Sequence, residues 1–276
     1  MIMIENDTFL DDIPVVDSLT HVKEDGNWYN THHDASVERL LTMFDRQYRK
    51  ALLVGIPGDS SDYLLTVCQR YPDKFIPAAA LEMGANDPVN RVEEKIINLG
   101  KKGFQGIKIH PRRLNMNLSH PNISRAIGLA GKHNLVSLLC TVHRPPLLPL
   151  KRPVYDILYQ ICQNNQNNKS KILLLHGGYF EILATSEMVR DFENVLLDLS
   201  VTIIRFQDTH LMEDIRFLFK TFDRRLCIGS DFPEYTMKDV LRVIREKELH
   251  RNLGREKLEN IFSGNLLKFF NEKNES

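Results

Sequence analysis

"DPVNRVEEKIINLGKKGFQGIKIHP", residues 87–111, carries two periodicities in succession. From Pro88 to Gly103 the apolar residues recur at helical spacing, with Asp87 before Pro88 as the expected start and Gly100 or Gly103 as the expected stop. From Gly106 the pattern becomes a short apolar run, "GIKIH", broken by one lysine. A helix feeding directly into a buried strand is the unit of a parallel sheet covered on both faces. Lys108 points either toward the centre of such a fold or against its helices. Both places are costly for an unpaired charge, so a partner or a ligand is expected there.

The unit recurs along the chain. Apolar, β-branched segments "IPVVDS", "ALLVGI", "FIPAAA", "GIKIH", "LVSLLCTV", "ILLLH", "VLLDLS" and "LCIGSD" begin near residues 13, 51, 75, 106, 135, 172, 195 and 226. Stretches of helical periodicity lie between them, among them "SVERLLTMFDRQY", "PVYDILYQICQNN" and "HLMEDIRFLFKTF". Eight such units predict an α/β fold of the (β/α)8 TIM-barrel class, a parallel eight-stranded barrel whose usual size is ~250 residues. An open doubly wound sheet ranks second, because "VGIPGDSSD" lacks the GxGxxG phosphate turn. The chain reads as a single domain over residues 1–276. Residues 1–12 form an N-terminal extension, 163–171 ("QNNQNNKSK") a polar surface loop, and 271–276 a frayed tail.

The totals narrow the function. The 276 residues hold 36 Lys+Arg against 36 Asp+Glu, a balance that favours neither nucleic acid nor a membrane surface as partner. Apolar residues make up 42%, enough for a substantial core, and the longest apolar runs are far too short to span a bilayer. The start, "MIMIENDTFLDDIP", is acidic and lacks the pattern of a signal peptide. Four cysteines, at 68, 140, 162 and 227, show no paired spacing, which fits a reducing cytoplasm.

In a TIM barrel the chemistry sits at the C-terminal ends of the strands. There the chain gathers ionisable groups. His21 follows strand one; Lys108 and His110 close strand four; Cys140, then His143 and Arg144, close strand five; His176 ends strand six; Asp231 follows strand eight. Taken singly, each has a plainer reading. A strand-end histidine is often a hydrogen-bonded structural residue, Asp231 in "GSDFPE" suits a helix cap, and Cys140 suits a small core position. Asp198 and Ser200 in "LLDLS" suit a turn or a helix start. In "IPVVDSLTHV" (13–22) a regular strand would put Val15, Asp17, Leu19 and His21 on one face.

Several segments resemble the amidohydrolase superfamily, in its amidohydrolase-related branch. "GFQGIKIHP" (103–111) is similar to the strand-four signature of that branch and "LLLHGG" (173–178) to its strand-six histidine with glycines. "NVLLDLS" (194–200) resembles strand seven, "DRRLCIGSDFP" (223–233) the strand-eight block and "ENIFSGNLLKFF" the closing helix. TatD-like nucleases share the architecture but would carry a glutamate where this chain has "GIKIHP". The resemblance implies a hydrolase or a non-oxidative decarboxylase of small carboxylates, with one divalent metal, usually zinc. Its ligands are a His-x-His pair after strand one, a strand-five histidine and the strand-eight aspartate. Carried onto this chain, the set becomes His21, Cys140 and Asp231, with Leu19 in place of the first histidine, and the strand-six histidine that orients or polarises the reacting group becomes His176.

Three mechanisms fit these residues. A metal held by His21, Cys140, Asp231 and His176 would activate water. In that metal reading His176 or His110 would polarise the carbonyl; without a metal, Asp231 would act as general base beside a carbonyl polarised by His21, His176 or Lys108, and the apolar Leu19 would raise the pKa of Asp231. A non-catalytic ligand-binding barrel is the third. The substrate is expected to be a small anion, a carboxylate-bearing lactone, ester or amide, with decarboxylation of an aromatic or unsaturated acid as the alternative. Arg112, Arg113 and Arg144, with His143, are the expected anion contacts. Trp28, in "WYN", is an aromatic wall or a loop anchor. Barrels of this kind often pair, so a homodimer is a further expectation.

Overall fold

The structure, a computed structural model, describes residues 7–166 and 170–271. Eight parallel strands stand side by side in chain order: β1 (Val15–Thr20), β2 (Tyr48–Val54), β3 (Phe75–Ala80), β4 (Gly106–Ile109), β5 (Val136–Cys140), β6 (Ile172–Leu175), β7 (Val195–Asp198) and β8 (Leu226–Cys227). Past β8 the chain returns to β1. The Ser18 amide donates to the Ile228 carbonyl at 3.1 Å, Asp231 to Leu19 at 2.9 Å and His21 to Phe232 at 2.9 Å. These bonds bring the two edges together and make the (β/α)8 barrel that the alternation predicts.

The helices that separate the strands are α1 (Val37–Leu41), α2 (Ser61–Arg70), α3 (Val89–Lys102), α4 (Pro121–Lys132), α5 (Val154–Asn165), α6 (Ile182–Met188), α7 (Thr202–Arg205) and α8 (Leu211–Thr221). After β8 come α9 (Met237–Glu246), α10 (Arg255–Glu259) and α11 (Asn265–Phe269).

Two apolar layers follow from side-chain alternation on the strands. Ala51, Leu53, Ile107, Ile109, Leu174 and Leu197 face outward and pack with Val92 and Ile96 of α3 and Ile123 and Ile127 of α4. Val16, Leu52, Val54, Ile76, Leu138, Leu173, Leu175 and Leu196 fill the barrel, and Leu266, Leu267 and Phe270 join them from the α11 segment. Full burial of aliphatic side chains of this size stabilises by about 1.5–3 kcal/mol each.

Four local expectations change. Helix α3 starts after Pro88 and stops at Gly103, whose φ of 105° only glycine adopts readily; Asp87 instead receives the Gly84 amide and the Lys95 ammonium. The helix read over 36–48 shortens to α1, because Asp45 caps the amides of Gln47 and Tyr48 in a turn that leads into β2. In β1 the register is irregular between Asp17 and Thr20. Val15 therefore packs in the outer layer and Leu19 in the inner one, and the four residues do not share a face. The polar loop of 163–171 is partly α5, and 167–169 lie outside the described residues. Residues 1–6 and 272–276 lie outside them as well, with most of the expected extension and tail; Asp7–Asp12 is a short 3-10 turn.

Candidate active site

At the C-terminal ends of the strands lies a cavity of about 110 Å³. Its inner wall is made of His21, Lys108, His110, Cys140, His176 and Asp231, and its mouth of Arg112, Arg113, Arg144, Arg205 and Glu234. Drug-sized pockets start near ~300 Å³, so the space suits a small ligand.

His21 sets one half of the site. Its Nδ1 is 2.6 Å from the Val54 carbonyl, which can only accept, so Nδ1 carries the hydrogen. Nε2 then presents its lone pair to the Lys108 ammonium at 3.1 Å. Burial, followed by the charge of Lys108, lowers the His21 pKa and keeps the ring neutral. Asp231 Oδ1 lies 3.2 Å from the same Nε2. Burial pushes the Asp231 carboxyl up, but His21 whenever its ring is protonated, and then His176 and Lys108, outweigh it and hold it well below the usual carboxylate range. This corrects the expectation that Leu19 would raise it: the cations around the carboxylate decide, not the apolar floor.

Cys140 and His176 set the other half. Cys140 lines the cavity together with the imidazoles of His110 and His176. Burial alone would raise its pKa, and the two imidazoles reverse that and lower it well below the ordinary value. His176 Nδ1 is 3.0 Å from the Ser200 carbonyl, so it too carries a hydrogen. Burial opposes charge on this ring, yet Cys140, with Asp231 and Asp198, lifts its pKa to about 9.

Asp198 holds this half in place. It accepts from the hydroxyls of Ser18 and Ser200, the Ser200 amide at 3.0 Å and the His176 amide at 3.1 Å. Asp198 and Ser200 are therefore more than a turn: they fix the ring that faces Cys140. Asp231 does not cap the next helix, since Thr236 and Asp239 form that capping box for α9.

Backbone strain is concentrated here. His176, Tyr179, Val201 and Asp231 all line the cavity, and all have positive φ, at 64°, 61°, 63° and 60°. For a β-branched residue such as Val201 this is an outlier; each such residue costs of order 1–3 kcal/mol. Gly178, between His176 and Thr185, has φ 88°, and a Cβ there would meet the Thr185 hydroxyl at 2.1 Å. That close approach explains the glycine in "LLLHGG".

The mouth is cationic. None of Arg112, Arg113, Arg144 and Arg205 has an ion-pair partner among the described residues, and these four guanidinium groups, with Lys108, face two carboxylates, Asp231 and Glu234. Burial, and then the charge of Arg144, lowers the Arg112 pKa. Arg113 lies 4.3 Å from the Tyr29 ring centroid and Arg205 lies 5.9 Å from that of Tyr179. Trp28 is both wall and anchor. It stacks on His21 at 5.5 Å and donates its indole N–H to Glu234 at 3.3 Å. His143 is not among the lining residues; its Nε2 donates to the Leu148 carbonyl at 2.8 Å within its own loop. Sequence reasoning missed Tyr29, Tyr179, Arg205 and Glu234. All lie within a few residues of a motif it singled out, and that proximity was the available signal.

The Amidohydrolase family model matches residues 34–271. No curated protein matches the sequence. Among solved structures, a probable 2-pyrone-4,6-dicarboxylic acid hydrolase of Acinetobacter baumannii, with citric acid bound, shares 16% identity, with a TM-score of 0.66 over 94% of this chain and 100% of that one. An uncharacterised TIM-barrel protein of Bordetella bronchiseptica gives 12%, 0.76, 94% and 99%. The 5-carboxyvanillate decarboxylase of Novosphingobium aromaticivorans, complexed with manganese and 4-hydroxy-3-methoxy-5-nitrobenzoic acid, gives 14%, 0.66, 94% and 96%.

The divalent metal of such a neighbour does not fit the donors of this chain. Among the described residues no three His, Cys, Asp or Glu side chains come together to hold an ion. The expected set of His21, Cys140, His176 and Asp231 is split. The His21 lone pair is taken by Lys108, so it is not open to an ion. Leu19, with no donor atom, is buried in the barrel core. Zinc is not confirmed for this chain, and the metal named for the decarboxylase neighbour is manganese.

Proposed function

The chain belongs to the amidohydrolase family, and on that premise we propose that it hydrolyses a small carboxylate-bearing lactone or ester without a metal. One observation carries the reading: the Lys108 ammonium sits on His21 Nε2 beside Asp231, where a relative would need a metal cation. Burial lowers the Lys108 pKa and the charge of Asp231 opposes that; as an ammonium the group can stabilise the negative charge that develops on a carbonyl oxygen under attack. Asp231 is the acceptor for the attacking water. Its low pKa makes it a weak base in the free protein, but an anionic substrate draws the same cations and raises it. General base catalysis of this kind contributes typically ~10²–10⁴-fold, enough for an activated ester or a strained lactone.

The four unpaired guanidinium groups suit a substrate that carries one or more carboxylates. The test is a set of carboxylated lactones and esters followed by acid release, with carbon dioxide measured in the same samples, on wild type and Asp231→Asn. Acid release that the substitution abolishes supports the reading. Carbon dioxide release would move it to decarboxylation. Binding without turnover in either protein would make this a ligand-binding barrel.

A further inference from the structure

Tyr29 sits at the tip of the loop between β1 and α1. The loop folds back on itself as a short ribbon: Asn27 and Asp34 form an antiparallel bridge, and the Ala35 amide donates to the Gly26 carbonyl at 2.9 Å. Trp28 anchors the ribbon against His21 and Glu234. In the ring of strands β1 and β4 are separated by β2 and β3, so the ribbon must lean across to bring Tyr29 to Arg113, which follows β4. There the Tyr29 ring centroid lies 4.3 Å from the Arg113 guanidinium. From this contact we infer that Tyr29 is a positioning residue: it holds Arg113 as the contact for a substrate carboxylate, and so sets the preference for anionic over neutral substrates. The inference rests on the hydrolase reading above and names the cation that takes the substrate's charge.

The kind of partner matters. An acidic side chain would fix an arginine by cancelling its charge and occupying its N–H donors. An aromatic ring does neither, because the attraction is to its π face, and both the charge and the five donors stay available to a carboxylate. Lys23 shows the contrast on the same ring. Its Nζ is also 4.3 Å from the Tyr29 centroid, but Asp59 Oδ1 lies 3.1 Å away, so its charge is already answered. Arg113 has the ring without the carboxylate. Arg112 and Arg144 differ again: among the described residues neither lies over a ring, and the charge of Arg144 disfavours that of Arg112.

The consequence lies in binding rather than in the chemical step. Arg113 is an exposed side chain with many rotamers, and ordering it on arrival of the ligand would weaken affinity. A ring that holds the guanidinium beforehand removes part of that cost. Only the ring face is needed, so phenylalanine should serve at position 29 and an aliphatic side chain should not. A neutral substrate gains nothing from the arrangement, because it has no charge for Arg113 to meet.

The test titrates tricarballylate, an unreactive tricarboxylate, into wild type, Tyr29→Phe, Tyr29→Leu, Arg113→Ala and the Tyr29→Leu/Arg113→Ala double variant. Binding is read from the fluorescence of Trp28, the single tryptophan, which lines the cavity. In parallel, KM and kcat are measured with 4-nitrophenyl hydrogen succinate and with its neutral methyl ester. Kd should stay within about twofold in Tyr29→Phe and weaken about fivefold in Tyr29→Leu. Arg113→Ala should weaken it about tenfold, and the double variant should match that value rather than the product of about fiftyfold. KM for the anionic ester should follow the same pattern at nearly constant kcat, with the neutral ester unaffected. Losses that multiply in the double variant, or a Tyr29→Phe as weak as Tyr29→Leu, overturn the inference, and so does an equal rise in KM for the neutral ester. Ester hydrolysis with no tricarballylate binding and no effect of Tyr29→Leu on KM overturns it and leaves the hydrolase reading standing. The expected pattern in Kd without hydrolysis of either ester supports the positioning role while the ester-hydrolase reading fails.

Discussion

Lys108 Nζ stands 3.1 Å from His21 Nε2, and His21 commits its other ring nitrogen to the Val54 carbonyl at 2.6 Å. The ring is therefore a neutral acceptor for an ammonium rather than an open ligand. Two results are expected. Exhaustive dialysis against chelator should leave hydrolysis unchanged, and Lys108→Met should lower kcat/KM by about 10²–10³-fold. Steady-state rates measure both, with a thermal melt confirming that the variant is folded. Activity lost to chelator and restored by manganese or zinc would refute this account.

The arginine mouth should act on binding more than on chemistry. Arg144 is exposed and unpaired, so Arg144→Ala should raise KM about tenfold and leave kcat within a factor of two. The effect should shrink as ionic strength rises, because exposed charges are screened over about 10 Å at 0.1 M salt. KM measured against salt concentration is the check. A fall in kcat at constant KM would put Arg144 in the chemical step.

Asp17 gives a pH signature unrelated to turnover. The buried carboxyl accepts from Ser230 through amide and hydroxyl, from the Leu19 amide and from the Tyr48 phenol. Burial nonetheless raises its pKa from 3.8 to about 7, against the pull of those bonds. The folded state thus holds a proton that the unfolded state releases. Stability falls as pH rises from 3.8 to about 7, by on the order of 4 kcal/mol for this group, and is level above that. Urea titrations across this range should show the slope in wild type, and Asp17→Asn should flatten it. An unchanged slope would assign it to other groups.

Asp198 is a positioning residue. Asp198→Asn keeps the volume but loses acceptors for Ser18, Ser200 and His176. We expect kcat to fall about tenfold or more with KM nearly constant, since the substrate contacts lie elsewhere. Equal losses in KM and kcat would point to a general collapse of the site.

How much could be read beforehand follows from what sets each residue's direction. His21, Lys108, Cys140, His176 and Asp231 end strands or follow them directly, and a barrel sends such residues to one mouth. The run "GIKIH" was enough to locate Lys108, although whether it faced inward was open. Tyr179 and Val201 were out of reach. Their aim depends on positive φ values of 61° and 63°, which no hydrophobic period encodes. Asp198 looked like a turn residue because its partner Ser18 lies 180 positions away and meets it only when the ring closes. In β1 the irregular register between Asp17 and Thr20 defeated simple alternation.

The closure from Ser18 to Ile228 has a consequence for vectorial synthesis. Strand β1 emerges from the ribosome near the beginning, while its second neighbour is some two hundred residues behind it. Through that interval one backbone edge of β1 has no partner and is open to other chains. Leu266, Leu267 and Phe270 reach the barrel core later still. A nascent chain halted before these residues would expose both an open edge and an unplugged floor. Translation speed and chaperone contact over the final helices would then govern how much of the chain escapes aggregation.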